Sequence, residues 1–167
     1  MQFLLQSLLS GLLVGGVYAL IGIGLSLIFG VMRVINFAHG DLMVVGMYLT
    51  WGLFAVFKID PYLALLVVIP AMFLFGGLLQ KVFINRVLDA LPQNQILLTI
   101  GLGLIVSNIL MMAFTSDYRI LTTSYSSASF TVGGISVSQP LLESFLVTLV
   151  LTGALGLFLR FTDLGQA

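Results

Sequence analysis

From Phe3 to Val31 the chain carries no charged side chain, a run longer than the roughly 20 residues that suffice to cross a bilayer. A stretch like this fits a membrane span. It does not read as a cleaved signal peptide, because no Lys or Arg precedes it and its apolar core exceeds the usual h-region. The rest agrees: 60% of residues are hydrophobic and 7% charged, against roughly a quarter charged in soluble domains. Net charge is zero and the charges are dispersed, so no basic surface argues for nucleic acid. With no Cys and a single His, disulfides, thiolate sites and an unaided zinc site are excluded.

Apolar segments separated by polar connections predict an all-α membrane protein of about five transmembrane helices, at 3–31, 41–57, 62–80, 95–114 and 140–160. They form a single transmembrane domain over 1–167. Pro61 suits the first position of the third helix, and Pro70 stands within it. Alternating sides places Arg33, Lys81, Arg86 and Arg160 within and Lys58 and Arg119 without. The amino terminus is then outside and the carboxy terminus cytoplasmic. Ser7, Gly11, Gly15 and Ala19 recur every four residues in the first span, and Gly22, Ser26 and Gly30 form a second such row. Small residues in register let another helix approach closely, which predicts a packing role for both rows.

Between the first two spans, Val34 to Met43 reads Val-Ile-Asn-Phe-Ala-His-Gly-Asp-Leu-Met and gathers Asn36, His39 and Asp41 beside Arg33. Such groups are costly in a bilayer unless they face protein, water or headgroups. Gly40 predicts a helix end or unwound turn, and non-helical backbone survives at membrane depth only when buried in protein or lining a cavity. Two readings stand: a polar turn at the headgroup level, or part of a solute pathway. Asn36 and His39 are open to both, whereas for Asp41 the headgroup position is expected. Tyr18 and Tyr48 lie beside the motif as candidates for lining a passage or for packing. In the fourth span Asn108 is read as interhelical glue.

Thr115 to Gln139 is a long polar connection. Its Phe130-Thr-Val, Gly133-Gly134, Ile135-Ser-Val pattern predicts a small extracytoplasmic β-hairpin between spans four and five. Val132 should pair with Ile135 and Phe130 with Val137, and a hairpin this small needs support from the membrane domain or a partner. Asp117 and Arg119 would belong to the same outer face, either solvated or meeting another protein.

Gly16-Val-Tyr-Ala-Leu-Ile-Gly-Ile-Gly-Leu-Ser-Leu-Ile-Phe-Gly-Val, then Asn36-Phe-Ala-His-Gly-Asp-Leu-Met and Gly46-Met-Tyr, resemble the amino-terminal signature of branched-chain amino-acid ABC transporter permeases. Leu98-Thr-Ile-Gly-Leu-Gly-Leu-Ile, Asp117-Tyr-Arg and Phe130-Thr-Val-Gly-Gly-Ile-Ser-Val follow in the family's order. The resemblance implies a bacterial inner-membrane subunit that works with a second permease subunit, two cytoplasmic ATP-binding subunits and a periplasmic binding protein. Family members continue beyond the Thr162-Asp-Leu-Gly-Gln-Ala segment, so the chain is expected to be about the first half of a permease. ATP would be bound by the partners, since the chain has no phosphate-binding Gly-Lys-Ser/Thr loop, and the chain itself would hold no cofactor or metal and catalyse no reaction. Asn36, His39, Gly40, Tyr18 and Tyr48 are the expected pathway residues, with Asp41 the further polar candidate for an amino acid's charged groups.

Two rivals remain at this level. Relatives carry urea or short amides on a similar framework. A membrane-embedded enzyme using His39 as base with Asp41 as neighbour is a different class, though residues at i, i+2 on a helix point to different faces.

Overall fold

The computed structural model describes residues 2–115, 117–132 and 134–161. Among them are α1 (Gln2–Met32), α2 (His39–Phe57), α3 (Pro61–Val82), a short 3-10 turn (Ile84–Arg86), α4 (Pro92–Phe114), β1 (Ser129–Val132), β2 (Ile135–Ser138) and α5 (Gln139–Phe161). All five α-helices are long and apolar enough to cross a membrane. The chain divides into two compact units, Leu25–Leu121 and the pairing of Met1–Gly24 with Thr122–Ala167, the boundary falling within α1.

The Leu25–Leu121 unit is built on α2, which packs against both α3 and α4. Helix ends follow from local chemistry. Lys58 closes α2 in the left-handed conformation, donating its backbone N–H to Phe54 O. Asp60 caps α3 by accepting from Tyr62 N at 2.9 Å, with Pro61 next in line. Pro92 likewise takes the start of α4, there after Leu91 and without a side-chain cap. Before α4, the amide of Gln95 donates to Leu88 O and Ala90 O, folding the polar connection back onto the helix start.

The break between α1 and α2 lies earlier than glycine placement suggests. Gly40 sits inside the first turn of α2, and the interruption is at Arg33, whose φ of 54° turns the chain out of α1 while its N–H still reaches Phe29 O. Val34 to Ala38 then runs without helix. Val34, Ala38, Ile84 and Leu102 form the buried core of this unit, with Met32, Leu42, Phe83 and Leu98 packed around them. Asn36 Oδ1 accepts from Ala38 N at 3.0 Å and Asn36 O from His39 N at 3.3 Å, so the asparagine makes the turn that launches α2.

The depth of this link can be read along α4. The Thr99 hydroxyl is shared between Ile35 O at 3.1 Å and Ile96 O of its own helix at 3.0 Å, and Gly103 lies against the Ala38 Cα. Those two α4 positions are roughly 10 and 16 Å from the helix start at 1.5 Å per residue. The non-helical link therefore packs against the middle of α4, not against either of its ends. Val34 and Ala38 are buried in it, whereas Ile35 and Phe37 are exposed.

In the other unit the hairpin has the expected register: Phe130 opposite Val137, Thr131 opposite Ser136 and Val132 opposite Ile135. Gly134 takes φ 82° at the turn, while Gly133 is outside the described residues. Ile135 and Val137 are half-buried and Ser136 and Ser138 exposed, the alternation a period of two demands. The support comes from α1. The Gln6 side-chain amide donates to Ser136 O and accepts from Ser136 N at 2.8 Å, as a neighbouring strand would, while Gln2 closes over Gly134. One helical turn thus presents two glutamines to the hairpin edge. Gly16 lets the Phe145 ring of α5 come close against α1.

Two outcomes test these contacts. Thr99→Val should destabilise the detergent-purified protein by about 1–3 kcal/mol in thermal or chemical unfolding, because a buried carbonyl loses its partner, while Thr99→Ser should stay near wild type. Gln6→Leu should speed amide exchange at Ser136 by on the order of tenfold without changing exchange in α4, since two hydrogen bonds of modest net worth are removed.

Candidate functional site

Asp41 is the third residue of α2, and the helix start at His39 aims its carboxylate at α4. The Ser107 hydroxyl donates to Asp41 Oδ1, and Oδ2 lies against Gly103, where a side chain would collide with it. Gly103 is therefore required by the close approach of an acid. Ser107 stands roughly 22 Å from the start of α4 and about 10 Å from its end, so the acid meets α4 along its length.

From that point a cavity of about 460 Å³ runs between α2 and α4 to the segment after α4. Val44, Met47, Leu110 and Met111 supply an apolar wall. Asp41 and Ser107 mark one end, and Tyr48, Trp51, Thr115, Asp117, Tyr118 and Arg119 the other. The volume is within the usual range for small-molecule sites, as is an apolar wall with a few polar groups.

The far end is ordered by aromatic stacking. The Tyr48 ring stacks on Phe114 with centroids 4.3 Å apart, and Trp51 meets Phe114 edge-on at 6.0 Å. The Arg119 guanidinium lies 5.0 Å from the Trp51 ring and donates to Phe114 O at 3.1 Å. Asp117 Oδ2 accepts from the Thr115 hydroxyl at 2.8 Å. Arg119 is accordingly folded back on α2 instead of extending as a freely solvated loop residue.

A second, smaller cavity of about 220 Å³ is bounded by Ile28, Met32, Val34, Asn36, Gly76 and Gln80, among others. On α4 it is lined by Leu102, below Gly103, whereas the larger cavity is lined by Ser107, Leu110 and Met111, above it. The link from Val34 to Ala38, with Val34 and Ala38 buried, is at the level between them.

The expected pathway residues separate on inspection. Tyr48 and Asn36 line cavities, Asn36 through the smaller one. Gly40 is exposed, and His39 is half-buried but outside both linings. Tyr18 is 68% exposed on the α1 segment of the other unit. Gly11, Gly15, Ala19, Gly22, Ser26 and Gly30 are all exposed. Asn108 donates to Leu104 O of its own helix at 2.7 Å, so Thr99 and Ser107 make the interhelical contacts expected of it. Asp41 is held by Ser107, not by His39, which removes the arrangement an acid–base pair would need.

Trp51 escaped sequence reasoning, as did the close approach at Gly103 and the bond from Ser107 to Asp41. Arg119 was expected on the outer face, without its contact to Trp51.

These features define a multi-pass membrane protein with a solute-sized cavity entering the span between two of its helices. The chain belongs to the family described as branched-chain amino acid transport system / permease component, which matches residues 7–167. It is similar to the high-affinity branched-chain amino acid transport system permease protein BraD of Pseudomonas aeruginosa, 27% identical over 98% of this chain and 57% of that protein. It is also similar to the permease protein LivH of Escherichia coli K12, 26% identical over 99% of this chain and 58% of LivH. LivH of Salmonella typhimurium is 25% identical over the same shares. The chain thus spans less than two thirds of the length of these relatives. No solved structure matches it significantly.

Two glycines of α4 give a paired test. Gly101 has open space where a methyl would go, whereas Gly103 meets the Asp41 carboxylate. Gly101→Ala should raise stability by up to about 1 kcal/mol through helix propensity. Gly103→Ala should lower it, with the opposite signs read from unfolding midpoints of the two variants in the same detergent.

Proposed function

We propose that this chain is a membrane-spanning permease subunit of an ABC importer for branched-chain amino acids and forms part of the translocation pathway. The observation that carries the reading is the α2–α4 cavity, apolar along its length and polar at both ends, which reaches Asp41 just after the non-helical link. An apolar wall suits a branched aliphatic side chain, and the polar ends suit the charges of a free amino acid. The family and the printed functions of BraD and LivH support the same cargo.

In this reading the chain works with a second permease subunit, two cytoplasmic ATP-binding subunits and a periplasmic binding protein. It lies in the bacterial inner membrane with its amino terminus outside. That orientation opens the larger cavity, the hairpin and Arg119 towards the periplasm, where a binding protein would release solute. ATP bound by the partners supplies the bias between outward-open and inward-open states, since a two-state equilibrium shifts only through differential interaction. The permease is not an enzyme and needs no cofactor of its own.

Reconstitution of the permease with its cognate ATP-binding subunits and binding protein in proteoliposomes decides the matter. ATP-dependent accumulation of labelled leucine, with no accumulation of labelled urea, is expected. Urea uptake without leucine uptake would reverse the cargo, and solute-independent turnover of lipid or peptide would end the permease reading.

A further inference from the structure

The α2–α4 cavity has an acid at its inner end without a basic partner. Among the described residues, the hydrogen bond to Asp41 comes from Ser107, a neutral hydroxyl, and Oδ2 faces the bare backbone of Gly103. The cation of the cavity lining is Arg119, and it is engaged at the other end, over Trp51. Asp41 and Trp51 are ten positions apart on one helix, roughly 15 Å. A carboxylate within a span is costly unless a counter-charge or several donors reach it. A place in the first turn of α2 eases that cost through the helix dipole, but only by about 0.3–1 kcal/mol.

We infer that the Asp41 carboxylate, oriented by Ser107, is the site that receives the α-ammonium group of the transported amino acid. The inference rests on the permease reading above and deepens it by assigning one end of the solute. A primary ammonium is the complementary group: three donors can fill acceptor positions that Ser107 leaves open, and its charge neutralises the acid. Carboxylate and ammonium share one carbon in an amino acid, so the solute cannot bridge Asp41 and Arg119. Repulsion from Asp41 turns its carboxylate towards the mouth, where Arg119 lies, and its side chain rests on Val44, Met47 and Leu110. Ser107 is a positioning residue, and Gly103 keeps the backbone clear for the acid.

Residues 1–167 contain no cysteine, so Ser107→Cys places the single thiol of this segment at the site. In the complete assembly in proteoliposomes, a cationic methanethiosulfonate reagent added to the binding-protein side should label that thiol at least tenfold faster than an anionic one of similar size. Adding Asp41→Asn, which keeps the side-chain volume, should reduce the preference to near unity, and millimolar leucine should slow labelling only while Asp41 is present. With Ser107 intact, Asp41→Asn alone should lower leucine uptake at least tenfold while the ATPase remains active. An unchanged reagent preference in the double variant, a thiol that neither reagent reaches, or wild-type leucine uptake in Asp41→Asn would overturn the assignment. Failure of the wild-type assembly to import any branched-chain amino acid would instead overturn the permease reading, while the reagent preference would still report on the charge of the site.

Discussion

A peptide carbonyl outside a helix needs a donor, and the Thr99 hydroxyl is shared between Ile35 O at 3.1 Å and Ile96 O of its own helix at 3.0 Å. Everything distinctive about the Leu25–Leu121 unit depends on that provision. An uninterrupted helix through this region would satisfy its own backbone and leave nothing open. The interruption at Arg33 exchanges those internal bonds for a handful of specific ones: Thr99 to Ile35, Asn36 to Ala38, and His39 back to Asn36. In return α2 begins beside the middle of α4, so that its first turn brings a carboxylate against Gly103 and Ser107.

The same economy holds the hairpin. Four-residue strands are marginal alone, and Ser136 directs both its N–H and its carbonyl away from β1, as a residue in a non-hydrogen-bonded pair must. Gln6 occupies both groups with one amide. Polar side chains spaced one turn apart on an otherwise apolar helix thus act on a strand edge. This use of Gln2 and Gln6 was invisible in the sequence, where they read as polar residues at the start of a span.

What the sequence made legible was whatever depends on local periodicity. The hairpin register followed from a period of two on either side of a glycine pair, and Pro61 and Asp60 define a helix start by their own chemistry. What it concealed was helix phase. Ser107 and Asn108 are adjacent, and a rotation of about 100° decides which faces α2. A helix apolar nearly all round has no polar face to reveal that rotation, so Asn108 looked as good a contact as Ser107. His39 and Asp41 posed the same question. The answer depended on where α2 starts, and a glycine at position 40 pointed to the wrong place because the turn is made by Asn36 and a left-handed Arg33.

On the permease reading proposed above, the consequence of a non-helical link is energetic. The two cavities stand at different levels of α4, with Val34, Ala38 and Leu102 buried at the level between. Opening one while closing the other within a regular helix would break a ladder of cooperative bonds, whereas moving this link disturbs three hydrogen bonds of about 1 kcal/mol each and a small apolar contact. A cost of that order is within what differential binding by partner subunits and solute can supply. Placing the acid immediately beyond the link, on the first turn it launches, ties the position of the charge to the conformation of the break. A shift in the link moves Asp41 relative to Ser107, so the group that attracts a cation and the segment that can yield are mechanically one.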